Sequence, residues 1–110
     1  MAAFEDFQQL DIRIGTVTNA EPFPRAKTPA YKVYVDFGEE IGTKQSSAQI
    51  TARYEPEDIV GRQVAAVVNF PPMNIAGFSS EILILGGMPG EDDVVLLNID
   101  EPVPNGTKVS

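Results

Sequence analysis

The sequence predicts an all-β domain, a small barrel or sandwich of short strands, and three observations carry that prediction. Apolar and polar residues alternate with a period of two in several short segments. Nine glycines and nine prolines are spread along the chain between those segments as turn punctuation. Helical spacing is confined to two brief stretches, Phe4–Phe7–Leu10 and the region Tyr54 to Gly61 with Pro56, Glu57 and Asp58.

Taken in order, the chain opens with a single helical turn over Phe4, Phe7 and Leu10. Leu10, Ile12 and Ile14 then alternate with Asp11, Arg13 and Gly15 as a first strand. Glu21 to Pro29 holds Pro22, Pro24 and Pro29 and reads as a connection. The clearest alternation follows, with Tyr31, Val33, Val35 and Phe37 set against Lys32, Tyr34 and Asp36. A turn at Phe37–Glu40 leads to a third strand, Lys44 to Ile50. One face of that strand carries Gln45, Ser47 and Gln49, a polar row ordinary for a ligand-facing strand and unusual for a core one. Val64 to Phe70, Ile82 to Leu85 and Val94 to Leu97 are the remaining strands, and the tail from Pro102 to Val109 reads as a turn with a short extended end.

The length of 110 residues fits one domain over residues 1–110, with a core of about residues 7–109. No apolar run is long enough to span a bilayer. The first ten residues carry Glu5 and Asp6 and no Lys or Arg, which is not a secretory-signal pattern. Both observations make the cytoplasm the expected compartment, with no membrane insertion.

Catalysis is poorly provided for. The chain has neither Cys nor His, which removes disulfides, thiolate nucleophiles, Ser–His and Cys–His pairs and the commonest metal ligands. Gly86–Gly90 is glycine-rich but lacks the Lys–Ser/Thr of a phosphate loop, and reads as a wide turn. Glu91–Asp93 lacks the spacing of an EF-hand and reads as a solvated turn; Glu55, Glu57 and Asp58 read as a charged helix start. No enzyme, metal or cofactor is expected. The formal net charge of −8 opposes sequence-independent nucleic-acid binding, and any basic patch must be drawn from Arg13, Arg25, Lys27, Lys32, Lys44, Arg53, Arg62 and Lys108.

Two features point to binding instead. The later strands are apolar on both alternating faces, whereas a barrel has only one inside. The second face needs a cover, and a second copy of the chain supplies it most simply; the N-terminal turn and C-terminal tail are the alternative. In addition, the connection Phe70 to Phe78 holds Phe70, Met73, Ile75 and Phe78 between two strong strands and is stiffened by Pro71 and Pro72. Such a segment serves as a core lid, as a preorganised apolar contact site, or as both.

The segments Asp36–Gly38 with Lys44–Ile50, and Val67–Pro72 with Ile75–Glu81, preceded by Leu10–Gly15, resemble the tRNA-binding domain superfamily. That superfamily includes appended domains of some aminoacyl-tRNA synthetases and the EMAP-II-type cytokine domain. The likeness runs from about Phe7 to Val109. Its Asn-Phe-Pro-Pro and Ala-Gly-Phe-x-Ser-Glu pieces are similar to the CsaA-type branch of bacterial secretion chaperones. The resemblance implies a five-stranded Greek-key OB-fold barrel, homodimeric through short N- and C-terminal extensions, with ligands on the second and third strands and neighbouring loops. It implies tRNA-contacting residues at Lys44, Gln45, Ser46, Asn69, Ser80 and Glu81, to which Arg53 is added for its charge. Phe23, Phe70, Met73, Ile75 and Phe78 are expected to contact polypeptide, and Phe4, Phe7, Leu83, Leu85, Val103 and Val109 to line the dimer interface. The tRNA-binding relatives carry Lys or Arg in the loop where this chain has Met73, Asn74 and Ser79. Loss of those cations weakens the electrostatic contribution to RNA affinity and makes the loop greasier. The expected activity is therefore an ATP-independent, export-related chaperone for unfolded polypeptides or preproteins, with contact to export machinery. Structured tRNA binding is the alternative.

Overall fold

The computed structural model describes residues 1–110. In chain order the elements are α1 (Phe4–Gln8), β1 (Ile12–Pro22), β2 (Tyr31–Asp36), β3 (Thr43–Ala48), α2 (Pro56–Ile59), β4 (Gln63–Val67), β5 (Met73–Ile75), β6 (Phe78–Ser80), β7 (Leu83–Ile84), β8 (Gly86–Gly90) and β9 (Asp93–Leu96). Five strands form one antiparallel sheet in the order β3-β2-β1-β4-β7, which curls into a nearly closed barrel. The pairs β5–β6 and β8–β9 are separate two-stranded ribbons.

The alternation of β2 has the expected consequence: Tyr31, Val33 and Val35 are buried inside the barrel, and Lys32, Tyr34 and Asp36 face out. They join Val17, Phe37, Ala48, Ile50, Ile59, Val64, Ala66, Ile82 and Leu96 in the main core. Gly15 belongs to the same inward phase of β1. A Cβ there would lie 2.6 Å from Val35 Cγ1 and 2.8 Å from the Asp36 carbonyl oxygen, so only glycine lets the strands cross this closely. β1 is longer than its apolar alternation suggests. It continues through a bulge between Val17 and Asn19 to Pro22, which sits at the strand end, where its missing N–H interrupts no ladder.

Ile12 and Ile14 point the other way. With Ala65 and Val67 they form a second apolar cluster on the outside of the barrel, against which Leu10, Leu85, Ile99, Val103 and Val109 pack. The C-terminal tail supplies much of this cover. The Ile14 and Val109 N–H groups donate to the carbonyls of Thr107 and Ile12 at 2.9 and 2.8 Å, and the Gly106 N–H donates to Ile14 O at 2.7 Å. Gln63 fastens the tail from β4, its side-chain amide donating to Val103 O (2.7 Å) and accepting from Val103 N–H (3.0 Å). The doubly apolar character of β4 is thus satisfied within one chain.

Two connections are more ordered than the sequence suggests. The expected loop Phe70–Phe78 contains a hairpin, β5–β6, closed across Ile75 and Phe78 by Ala76 and Gly77. Both turn residues have positive φ, 49° and 85°, the geometry of a type I′ turn. The alanine hides this turn from a sequence reading that looks for Asn-Gly or Asp-Gly. Likewise Gly86–Gly90, expected as a wide turn, is strand β8 paired with β9. No helix is long and apolar enough to cross a membrane.

Candidate functional site

The barrel is closed between β3 and the segment after β6 largely by side chains rather than by a ladder. The Glu81 N–H donates to Gln45 O (2.8 Å), and the Gln45 N–H donates back to Glu81 Oε1 (3.1 Å). Gln45 Nε2 donates to Ser79 O (2.9 Å), and the Ser47 N–H donates to Ser80 Oγ (3.0 Å). Ser46 is buried, and its hydroxyl donates to Ile82 O (3.1 Å). Five polar positions that the resemblance and the strand-three pattern mark as ligand-facing are therefore engaged in joining the wall. Ser46 departs furthest from the expected placement, since its hydroxyl is buried and taken up by Ile82 O.

The other polar positions divide similarly. Asn69 accepts from the Asp11 N–H and donates to Gln9 O, both at 2.9 Å, and so ties the start of the Pro-Pro segment to the exit of α1. Arg53 forms a forked pair with Asp93 at 2.5 and 2.8 Å, which holds its guanidinium above its usual pKa and the Asp93 carboxyl below its own, the hydrogen bonds being the main cause. Its charge is locally balanced and not directed to a polyanion. Lys44 lies on β3, half-buried, with no carboxylate partner. Lys32 sits over the rings of Phe23 and Phe78 at 4.9 and 5.1 Å.

The apolar set is drawn together only in part. Phe23 is buried and packs edge-on against Phe78 at 5.4 Å, and Phe78 also meets Tyr34 at 6.4 Å. These two phenylalanines pin the hairpin to β2 and are not an open contact surface. Phe70 and Met73 are exposed, Met73 at 65%, and Ile75 is half-buried. With Pro71, Pro72, Ile82 and Leu83 they line a groove of about 640 Å³ whose polar side is Ser47, Gln49, Ser80 and Glu81. Pro71, Pro72, Ile82 and Leu83 are the apolar groove residues that the sequence does not nominate for polypeptide contact. The paired prolines were the available signal. Leu83 is expected at the dimer interface and is half-exposed on the outer side of β7, at the edge of the groove.

Of the expected interface residues, Phe4, Phe7 and Leu83 are exposed, whereas Leu85, Val103 and Val109 are half-buried in the chain's own outer cluster. Val103 and Val109 cover the face that a second copy was expected to cover.

A nearly closed five-stranded barrel with a lateral apolar groove, and with polar groups but no His or Cys around it, defines an OB-type binding module. The chain belongs to the putative tRNA-binding domain family, whose family model matches residues 12–108. The crystal structure of the chaperone CsaA from Bacillus anthracis str. Ames superposes with a TM-score of 0.95 at 62% identity, covering 100% of this chain and 99% of that one. The CsaA chaperone protein from Picrophilus torridus superposes at 0.93 with 44% identity, covering both chains completely. A methionine–tRNA ligase from Methanococcoides burtonii is 37% identical over 107 residues, which are 97% of this chain and 15% of the ligase. The chain therefore spans only a small part of such curated relatives.

Proposed function

We propose that this chain is an ATP-independent chaperone that holds unfolded or export-bound polypeptides in the cytoplasm, as a homodimer. The observation that carries this reading is the groove beside β3. It is preorganised by Pro71 and Pro72, exposes Phe70, Met73 and Leu83, and has Glu81 as its one charged lining residue. Met supplies an adaptable surface that accepts varied apolar side chains. An acidic chain with no cation in the groove attracts basic polypeptide segments, leaves neutral ones unopposed, and repels phosphates. Similarity to two CsaA chaperone structures over their whole length supports the same reading. The exposed Phe4 and Phe7, with Leu83 at the border of the groove, are the surface left for a second subunit. Contact with export machinery would follow from a role in delivery. A binding role rather than catalysis agrees with a sequence that lacks His and Cys.

The test is aggregation of a chemically denatured protein diluted into buffer. Stoichiometric chaperone should suppress light scattering without ATP, and Met73→Ser should weaken that effect while leaving the fold intact. No suppression at large excess overturns the reading. Met73 is a cleaner probe than Phe78, because Phe78 also anchors the hairpin.

Structured tRNA binding is the second reading, favoured by the family match. Lys32 on β2, Lys44 on β3, and Arg25 and Lys27 just before β2 are cations without an ion-pair partner. A gel shift with tRNA at low ionic strength that weakens steeply with salt would support it; no shift at low salt would end it.

A further inference from the structure

The groove adjoins an open stretch of strand edge. Because β2 and β3 pair in regular antiparallel register, the backbone N–H and C=O groups of Gln45 and Ser47 point away from β2, and Gln49, the next residue in that phase, lies just past the end of the strand. Glu81 satisfies both groups of Gln45, and Ser80 Oγ accepts the Ser47 N–H. There the closure stops. The Ser47 carbonyl and both backbone groups of Gln49 have no protein partner, and Gln49 is exposed. Immediately beyond, the Ile50 N–H turns back to Ala48 O (3.0 Å) and ends the edge. Opposite this edge, across a depression of about 400 Å³, lies the stretch Leu83–Gly86. Ser47, Gln49 and Leu83 line both this depression and the larger groove, so the two are continuous.

The geometry points to strand addition: a client polypeptide lies extended along Ser47–Gln49 at the end of β3, its backbone bonded to that open edge and alternate side chains in the Phe70–Met73 groove. This rests on the polypeptide-binding reading and specifies how the site recognises a chain of unfixed sequence. Backbone groups are common to all polypeptides, so edge pairing gives affinity without demanding particular side chains. Charge narrows the occupant. No Lys or Arg lines either depression, and Glu81 Oε2 has no partner, so a client segment of alternating apolar residues with a Lys or Arg at the Glu81 end fits best. An RNA strand has no donor row at this spacing and would bring phosphates to an acidic rim. The edge offers only three groups, which keeps the association short-lived. It also keeps the edge from templating aggregation, the usual hazard of an exposed strand.

The test is fluorescence anisotropy with a labelled nonapeptide of alternating Leu and Thr carrying Arg at one end. Two further versions carry N-methyl groups on alternate backbone amides, one set on the Leu residues and one on the Thr residues. Strand addition predicts that the parent peptide binds, that one methylated set loses about tenfold or more in affinity, and that the other set changes little. Arg→Glu in the peptide should also weaken binding. If both methylated peptides bind like the parent while Met73→Ser weakens all three, the groove reads side chains alone; strand addition is then overturned and the chaperone reading survives. If no peptide binds, and backbone amides at Ser47–Gln49 gain exchange protection as protein concentration rises, a second copy of the chain occupies the edge and the proposal fails.

Discussion

The hydroxyl of Ser46 shows how polar residues in so small a barrel are committed. It is buried, donates to Ile82 O, and so bonds β3 to the strand that closes the wall. Ser46→Ala should lower unfolding free energy by about 1 kcal/mol, because the buried carbonyl loses its donor. Urea denaturation reads that loss, and peptide binding to the folded protein should be unchanged. The Arg53–Asp93 pair makes a different prediction. Asp93 titrates below its usual range in the folded protein, so its contribution is fully present above the ordinary carboxylate pKa of about 3.9 and fades as pH falls through the lowered value. The melting temperatures of the wild type and Asp93→Asn should therefore differ at pH 6 and converge in strong acid. A difference that persists at the acid end would show that Asp93 acts through packing and not charge. Burial, with acidic neighbours adding to it, raises the Tyr31 and Tyr34 hydroxyls above the usual tyrosine range, so neither titrates near neutrality.

At the scale of elements, the tail and the β5–β6 hairpin decide what the barrel exposes. Gly106 has φ of +91°, and a Cβ there would lie 2.5 Å from Phe37 O. Gly106→Ala should destabilise the protein by about 1–3 kcal/mol and release the tail from β1. Hydrogen exchange would report it as lost protection at Ile14 and Val109, whose N–H groups bond across the tail–β1 contact. Retained protection at both would mean that the tail holds without Gly106. The hairpin is attached through Phe78, between Phe23 and Tyr34. Phe78→Ala should cost about 1–3 kcal/mol and loosen residues 73–80 while β1 and β2 stay protected. Since the hairpin forms one wall of the groove, the same variant should also lose polypeptide binding. Sequence periodicity found the strands of the main sheet because each has a buried face. It found β9 as Val94 to Leu97 but passed over β5, β6 and β8, in which no residue is fully buried, so no burial pattern marks them.

For the whole molecule, the question is how much apolar surface remains once the tail is in place. Phe4, Phe7, Leu83 and Leu97 are all exposed. If Phe4, Phe7 and Leu83 meet a second subunit, sedimentation at micromolar concentration should give twice the 11.9 kDa of one chain. Leu83→Glu should then return the mass to that of a monomer, with little change in the stability of the single barrel, since Leu83 is already half in water. A wild-type monomer at that concentration would remove the dimer from the proposal. The groove also has Leu83 at its border, so mass and peptide binding should be measured on the same variant.

The sequence by itself determined the strands of the main sheet, the doubly apolar character of β4 and the absence of the usual catalytic groups, because a period of two is a local property and a missing side chain is absolute. It also marked the stretch from Phe70 to Phe78 as unusual, since apolar residues in a proline-stiffened connection conflict with ordinary loop composition. Which face of β1 looks into the barrel was decided only by the tertiary structure. Ile12 and Ile14 alternate as an inward face would, yet they lie outside beneath the tail, while Gly15 and Val17 point in. The same holds for Ser46, Asn69 and Arg53, whose partners are 36, 58 and 40 residues away along the chain. A motif can nominate such residues, but only the closing of the barrel brings each beside the group that takes up its hydrogen bond.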